Sequence, residues 1–411
     1  MLLRPDTPAA SRPAFTATEK RQLLLYALIA FGLPALLALP LGLTQRAGYP
    51  VDVFPNAQMY YPAAGVMLAL LVTRRDGAPL PRRFYGFFLA LAAVMAGCAL
   101  ASALLPALPW ATAIQFVIIA GSILAWIFLL TEKKPTRAAA GLCWGWKSPG
   151  VTRRSFAMIG LFLALYLGRF AFSAAVSGEW PSYRAYFGGA APYLIFVSLL
   201  PSFFLAFTAF FGEEYGWRYF LQPLLQRRFG AVRGTLLLGV AWGLWHLPLD
   251  LFFYSPATSL QSIAAHQITC ITLGVFFAFA YLKTGNIWVP VILHYLNNNM
   301  IAVLSGSADI GNQVYGWAEI GAAALINGVI FLPFLASRVF RPGAAEAPGR
   351  NTRPRRPPLP RGQRTQPLCQ GTTPGKIPAS APGRPPFFGG GPGALALMPP
   401  CRLARAHRRI R

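Results

Sequence analysis

Charge is scarce in this chain, and negative charge is scarcest. Its 411 residues hold 12 Asp and Glu against 37 Lys and Arg, with four His. Soluble domains carry about 25% charged residues; here the fraction is 12%. That shortage excludes an ordinary water-facing globule. Cysteine is thin as well. Cys98, Cys143, Cys270, Cys369 and Cys401 show no paired spacing, which excludes a disulfide framework and a cysteine metal cluster. Cys98 and Cys270 lie in apolar runs and read as small hydrophobes. Scarcity also makes the exceptions conspicuous, because an ionised side chain near a bilayer centre costs about 2.5–3.5 kcal/mol on insertion scales.

What remains is apolar. The chain is 55% hydrophobic with a mean hydropathy of +0.47. Apolar runs of around twenty residues recur, the length that crosses a hydrocarbon core as a helix. The expected fold class is all-α: a polytopic helical membrane protein with about ten transmembrane helices and a disordered basic C-terminal tail. Candidate spans are 22–44, 58–73, 84–106, 109–131, 155–177, 190–212, 234–254, 264–282, 287–304 and 317–337. The first is too long for a signal-peptide core and lacks a small-residue cleavage site, so it reads as retained.

Positive charge in the loops alternates with span parity. Arg74, Arg75, Arg82 and Arg83 follow the second span, and Lys133, Lys134, Arg137, Lys147, Arg153 and Arg154 the fourth. Arg218, Arg227, Arg228 and Arg233 follow the sixth, Lys283 the eighth, Arg338 and Arg341 the tenth. The odd-numbered loops hold only Arg46 and Arg184. Basic loops stay on the cytoplasmic side, so both termini are expected there, in a multi-pass protein of a prokaryotic plasma membrane. The segment Trp217–Phe229 mixes apolar and basic residues and reads as an interfacial cytoplasmic helix bent at Pro223.

Residues 341–411 hold fourteen Lys and Arg and one acid, Glu346, about half of the net charge of +25. Basic excess beside membrane spans points to anionic membrane lipid, not to nucleic acid. Past residue 344, Pro, Gly and Arg dominate and no period remains, so 345–411 is expected to be disordered. A polybasic lipid-binding tail and a reading-frame artefact are the alternatives. The organisation expected is a cytoplasmic segment (1–21), five N-terminal spans (22–185), a core (190–305), a last span (306–344) and the tail (345–411).

Three stretches break the apolar pattern. Phe211-Gly212-Glu213-Glu214-Tyr215-Gly216-Trp217-Arg218 ends the sixth span with paired carboxylates. On a helix Glu214 and Arg218 share a face and can pair, leaving Glu213 unpaired for general-base work on a water. Its plain alternative is an interfacial ion pair ending a helix. Trp242 and Trp245 lead to His246, mid-span, with Pro248 just beyond it. Proline there weakens the backbone ladder, as irregular backbone lining a cavity does. His294 and Asn298, four apart, share a helix face and offer two donors to one oxygen, as an oxyanion hole requires. The plain alternative is a polar stripe gluing helices together, with Asn297 and Asn299 beside it. Asp250 reads as a helix-end charge, His266 and His407 as non-functional, and Arg169 as snorkelling or paired with a core carboxylate.

Together these stretches resemble the CAAX prenyl protease and bacteriocin-processing family of intramembrane proteases, type II CAAX endopeptidases, over about residues 190–305. That family carries E-E-x-x-x-R, F-x-x-x-H and H-x-x-x-N/D on successive core spans. Glu213, Glu214 and Arg218 match the first and His294 with Asn298 the third. His246 matches the second with Trp242 in place of Phe. The resemblance implies an intramembrane endopeptidase cleaving a membrane-associated protein or peptide. Glu213 and His246 would activate water, His294 and Asn298 would stabilise the oxyanion, and Glu214, Arg218 and Trp242 would shape the site. No cofactor is implied by the metal-free glutamic reading. Two His and two Glu could instead hold zinc, although the spacing is not the H-E-x-x-H of a helical zinc protease. A proton-coupled transporter, with Glu213, Glu214, His246 and His294 as a relay, and a non-catalytic scaffold or immunity protein are the competing classes. The first would show a second copy of the constellation in the N-terminal half, and none is present. Prenylation of the substrate and oligomeric state leave no mark in the sequence.

Overall fold

The computed structural model describes residues 12–73, 77, 79–143, 149–307 and 309–341. The tail, His407, Arg74, Arg75 and Lys147 lie outside the described residues. Within them the chain is helical and no strand occurs. In order, the helices are α1 (Ala17–Ala27), α2 (Leu33–Arg46), α3 (Val53–Gln58), α4 (Tyr61–Thr73), α5 (Arg82–Leu104), α6 (Trp110–Thr131), α7 (Lys134–Ala139) and α8 (Pro149–Val176). There follow α9 (Trp180–Phe187), α10 (Ala191–Glu214), α11 (Gln222–Phe229), α12 (Ala231–Trp245), α13 (Leu247–Leu249), α14 (Ser259–Thr284), α15 (Trp288–Ser305) and α16 (Trp317–Phe331). Helix is what an apolar run must form in lipid, since every backbone N–H and C=O has to be satisfied inside the segment.

Eight helical stretches among the described residues are long and apolar enough to cross a membrane, which makes this an integral, multi-pass membrane protein. The two other expected spans are helices too. α4 has 13 residues, about 20 Å at 1.5 Å per residue, short of the ~30 Å hydrocarbon core. It packs between α1, α5 and α10. α15 has 18 residues and packs against α10, α14 and α8.

Three π-helical turns interrupt the bundle, at Leu28–Gly32, Tyr215–Leu221 and Asp250–Tyr254. Such turns accompany inserted side chains and functional sites. The second corrects an expectation. Trp217–Phe229 does not lie on the surface as a separate interfacial helix. It continues α10 without a break, with Trp217, Arg218, Phe220 and Leu221 buried. The chain leaves this continuous run at Gly230, whose φ of +93° only glycine adopts without strain.

Close approach places α10. A Cβ on Gly212 would stand 2.3 Å from the Met59 carbonyl oxygen, and one on Gly216 2.3 Å from Pro62 Cβ. Two glycines four apart thus seat the end of α10 on the α3–α4 turn, the small-residue device of membrane helix pairs. Polar glue finishes the fit. Thr208 Oγ1 on α10 meets Tyr60 Oη and Ser122 Oγ, each at 2.8 Å. Among the described residues Arg169, inside the long α8, pairs with no carboxylate. It donates to Asn327 Oδ1 at 3.0 Å and lies over the Tyr166 ring.

Candidate active site

The paired carboxylates sit where α10 widens into its π-helical turn, and both are buried. A buried carboxylate must find donors or a counter-ion. The two find different ones. Glu214 is neutralised: its Oε2 lies 3.1 Å from Arg218 Nε, and its Oε1 3.3 Å from Arg218 Nη1 and 2.9 Å from His294 Nδ1. Among the described residues Glu213 has no such partner. Its Oε2 accepts indole N–H bonds from Trp242 at 2.9 Å and Trp217 at 3.4 Å. Two neutral donors hold the carboxylate in place without cancelling its charge. Trp217 and Arg218 both reach back one turn along the same helix, which is the i, i+4 geometry.

Trp242 is the hub. The Arg218 guanidinium lies over its ring at 4.4 Å. The His294 ring meets it edge-on at 5.6 Å, and the His246 ring lies 6.1 Å away. Its carbonyl is 2.8 Å from His246 Nδ1. A carbonyl only accepts, so His246 Nδ1 carries the hydrogen and Nε2 is left with its lone pair in the neutral ring. By the same logic His294 Nδ1 donates to the Glu214 carboxylate. A neutral His294 would therefore have an accepting Nε2; Nε2 donates only when both ring nitrogens are protonated.

The backbone beyond His246 departs from a regular helix, as Pro248 predicts. α12 ends at Trp245, His246 sits at φ −80° and ψ −8°, and a π-helical turn follows. Trp245 is fixed from two sides by the N-terminal helices. Its Nε1 donates to the Ala30 carbonyl at 2.7 Å, the group that Pro34, four residues on, has no N–H to serve. Its own carbonyl accepts from Gln58 Nε2 at 2.8 Å.

Glu213, Glu214, Arg218, Trp242, His246 and His294 are thus gathered around one indole. Asn298 is not brought into that group. It is exposed, one turn along α15 from His294, and its Oδ1 accepts from Asn297 Nδ2 at 3.0 Å.

Two residues that sequence reasoning set aside lie against His246. The His266 ring stacks on it, centroids 4.8 Å apart and planes within 6°. His266 Nδ1 is 2.5 Å from Asp250 Oδ1, which also accepts from Ser262 Oγ at 2.7 Å. Cys270 Sγ is 3.8 Å from His246 Nδ1. A signal existed in the spacing: Ser262, His266 and Cys270 recur every four residues on α14, and Asp250 follows His246 by four.

The donor set bears on the zinc reading. Glu214 is occupied by a cation and an imidazole, His246 Nδ1 by a carbonyl, and the Arg218 guanidinium stands over the Trp242 ring. Among the described residues no group of three or more His, Cys, Asp and Glu is arranged to hold a metal ion.

Comparison with known proteins reaches the same segment. Residues 195–300 match the family model described as type II CAAX prenyl endopeptidase Rce1-like. A curated relative, CAAX prenyl protease 2 of Methanococcus maripaludis, is 29% identical over 133 residues, 31% of this chain and 49% of that protein. The chain therefore spans about half the length of the curated relative it matches. No solved structure gives a significant match. The matched residues run from α10 to α15 and contain both carboxylates, Arg218, Trp242, both core histidines and Asn298. Through residues 195–300 the core of this chain is thus similar to the type II CAAX prenyl endopeptidase Rce1-like family.

Proposed function

We propose that the chain is an intramembrane endopeptidase of the glutamic type, hydrolysing a peptide bond in a membrane-associated protein or peptide without a metal. The observation that carries this reading is the asymmetry of the two carboxylates. Glu214 is spent on Arg218 and His294, whereas Glu213 meets no cation within ion-pair distance among the described residues and is held by indole N–H groups.

In this reading a water sits between Glu213 and His246. It donates one hydrogen to a Glu213 oxygen and is steered by the lone pair on His246 Nε2. Glu213 takes the proton as the water oxygen bonds to the scissile carbonyl carbon. The oxyanion that forms accepts from His294 Nε2–H, with His294 as the imidazolium held by Glu214 through Nδ1. Asn298 supplies the second donor through its Nδ2, the amide end that Asn297 leaves open. As the intermediate collapses, the C–N bond breaks and the proton on Glu213 passes to the leaving amine. Donors placed on the developing charge in a dry site are worth more than in water. Both termini on the cytoplasmic side put the carboxylate end of α10 toward a substrate arriving from the cytoplasm, and flanking lipid is the other partner. The distribution of Lys and Arg between loops supports that orientation.

The test is cleavage of a quenched-fluorescent peptide library by protein in lipid nanodiscs. Wild type should cleave with or without a zinc chelator. Glu213→Gln, which keeps shape and hydrogen bonding, should lose about a hundred- to ten-thousandfold, the range of general-base catalysis. Chelator-sensitive cleavage would restore the zinc reading, and full activity in Glu213→Gln would end the glutamic one.

A further inference from the structure

Building on the reading of His246 as the water-steering base, we infer that Asp250 and His266 are positioning residues that lock the His246 ring. The argument starts from freedom. An imidazole on a chain that has just left its helix can turn about two side-chain torsions and exchange its tautomer. His246 stands at such a point, before Pro248, with the regular ladder ended at Trp245.

Each face of the ring is then closed by something fixed. The Trp245 indole meets it edge-on at 5.0 Å. Trp242 carbonyl and Cys270 Sγ flank Nδ1. The open flat face is covered by the His266 ring, parallel at 4.8 Å. His266 is itself part-exposed, at 24% of its side chain, whereas Asp250 is 1% exposed. A part-exposed imidazole makes a poor wall unless it is anchored. The anchor is Asp250 Oδ1, gripped from the other side by Ser262 Oγ. Tyr254 adds a third ring, 4.6 Å from His266 and 6.3 Å from His246.

Sequence spacing makes the device compact. Ser262, His266 and Cys270 line one face of α14, one turn apart each. The π-helical turn starting at Asp250 swings that carboxylate back against the same face. Two segments, the turn after α12 and the first half of α14, thereby hold one ring in one plane. With the plane fixed, Nδ1–H stays on the Trp242 carbonyl and Nε2 keeps its lone pair, while the same Trp242 donates its indole N–H to Glu213.

Selective ¹⁵N labelling of histidine tests this directly, since the chain has four. Wild type in nanodiscs should show His246 as a single Nδ1–H tautomer. His266→Ala should show a tautomer mixture, and its kcat should fall roughly 10- to 100-fold, as misplacement by about 1 Å does, with KM little changed. His266→Phe restores a flat wall and should recover both the single tautomer and most of kcat. Asp250→Ala should act like His266→Ala, and the double variant should be no worse, since the two act as one unit. A single His246 tautomer in His266→Ala, or equal losses in His266→Ala and His266→Phe, would overturn the inference. If His266→Ala fails to fold, Asp250→Asn carries the tautomer comparison. The glutamic reading fails separately, by cleavage persisting in Glu213→Gln, and the tautomer result does not depend on it.

Discussion

The core and the N-terminal helices solve the same problem in different ways. Both must satisfy polar groups where water is absent. In the core the partners are side chains: Glu214 with Arg218 and His294, Glu213 with two indoles, Asp250 with Ser262 and His266. In α1 to α4 charge stays at the ends, where Glu19 pairs with Arg227 at 2.7 Å and Arg46 closes α2, and the inner polar groups serve backbone or neutral neighbours. The Ala30 carbonyl serves Trp245, Gln58 serves the Trp245 carbonyl, Gln22 bonds Thr73, and Tyr60 bonds Thr208. The core therefore holds the buried titratable groups and their side-chain partners. The N-terminal helices hold the core still, and their contribution is geometric. The difference teaches that the first spans are a brace for the α12 end and the α10 end, the two places from which His246 and Glu213 project.

The sharpest way to test that division is to unbalance the ion pairs. Arg218→Met removes the guanidinium over Trp242 and leaves Glu214 buried with His294 alone. Removing one partner of a buried pair costs about 3–5 kcal/mol, so thermal unfolding in detergent should drop by many degrees and cleavage should vanish with it. Glu213→Gln, by contrast, should unfold near the wild-type temperature while losing cleavage. Equal losses of stability in the two variants would erase the distinction between a structural and a working carboxylate.

Trp242→Phe probes the same boundary more gently. The ring remains, but the N–H to Glu213 is gone, leaving Trp217 at 3.4 Å as the donor. A hydrogen bond to a charged group contributes about 1.5–3 kcal/mol. Cleavage should therefore fall about ten- to a hundredfold with the fold intact, measured as kcat/KM beside unfolding temperature. Phe is the residue that the resembling family carries at this motif position. Unchanged activity would show that Trp217 alone suffices to hold the carboxylate.

Much of this was legible in the sequence, for identifiable reasons. Expensive residues in apolar runs advertise themselves, so Glu213, Glu214, His246 and His294 stood out without a fold. The Glu214–Arg218 pair followed from i, i+4 spacing alone, and Pro248 foretold the irregular backbone after His246. What spacing along one helix cannot show is which helices meet. His266 and Asp250 lie 16 residues apart on segments separated by a turn, and nothing local links them. The role of Trp242 as a donor was hidden for the same reason, since its partner is 29 residues away. Trp217–Phe229 misled because its mixed apolar and basic pattern fits an interfacial helix. The burial of Trp217, Arg218 and Phe220 comes from contacts with α1 and α4 that the segment itself does not encode. Asn298 shares a helix face with His294 as expected, yet one turn carries it to the exposed end of the stripe.

The smallest expected effect tests the brace itself. Gln58 sits at the end of α3, and its amide N–H reaches the Trp245 carbonyl, 187 residues away in sequence. That carbonyl is free because the chain turns after His246: the Leu249 N–H, which a continuing helix would bring to it, goes to the His246 carbonyl at 2.9 Å instead. Gln58→Leu keeps the bulk and removes the donor, leaving one buried carbonyl unserved at a cost of about 1–2 kcal/mol. A purely structural contact would lower the unfolding temperature by a few degrees and leave kcat alone. A brace that positions His246 predicts more, because Trp245 is its chain neighbour and touches its ring. Gln58→Leu should then lower kcat severalfold with KM unchanged, and Gln58→Glu, which keeps an acceptor where a donor is needed, should be worse than Gln58→Leu. Loss of stability without any change in kcat would confine the N-terminal helices to holding the bundle together.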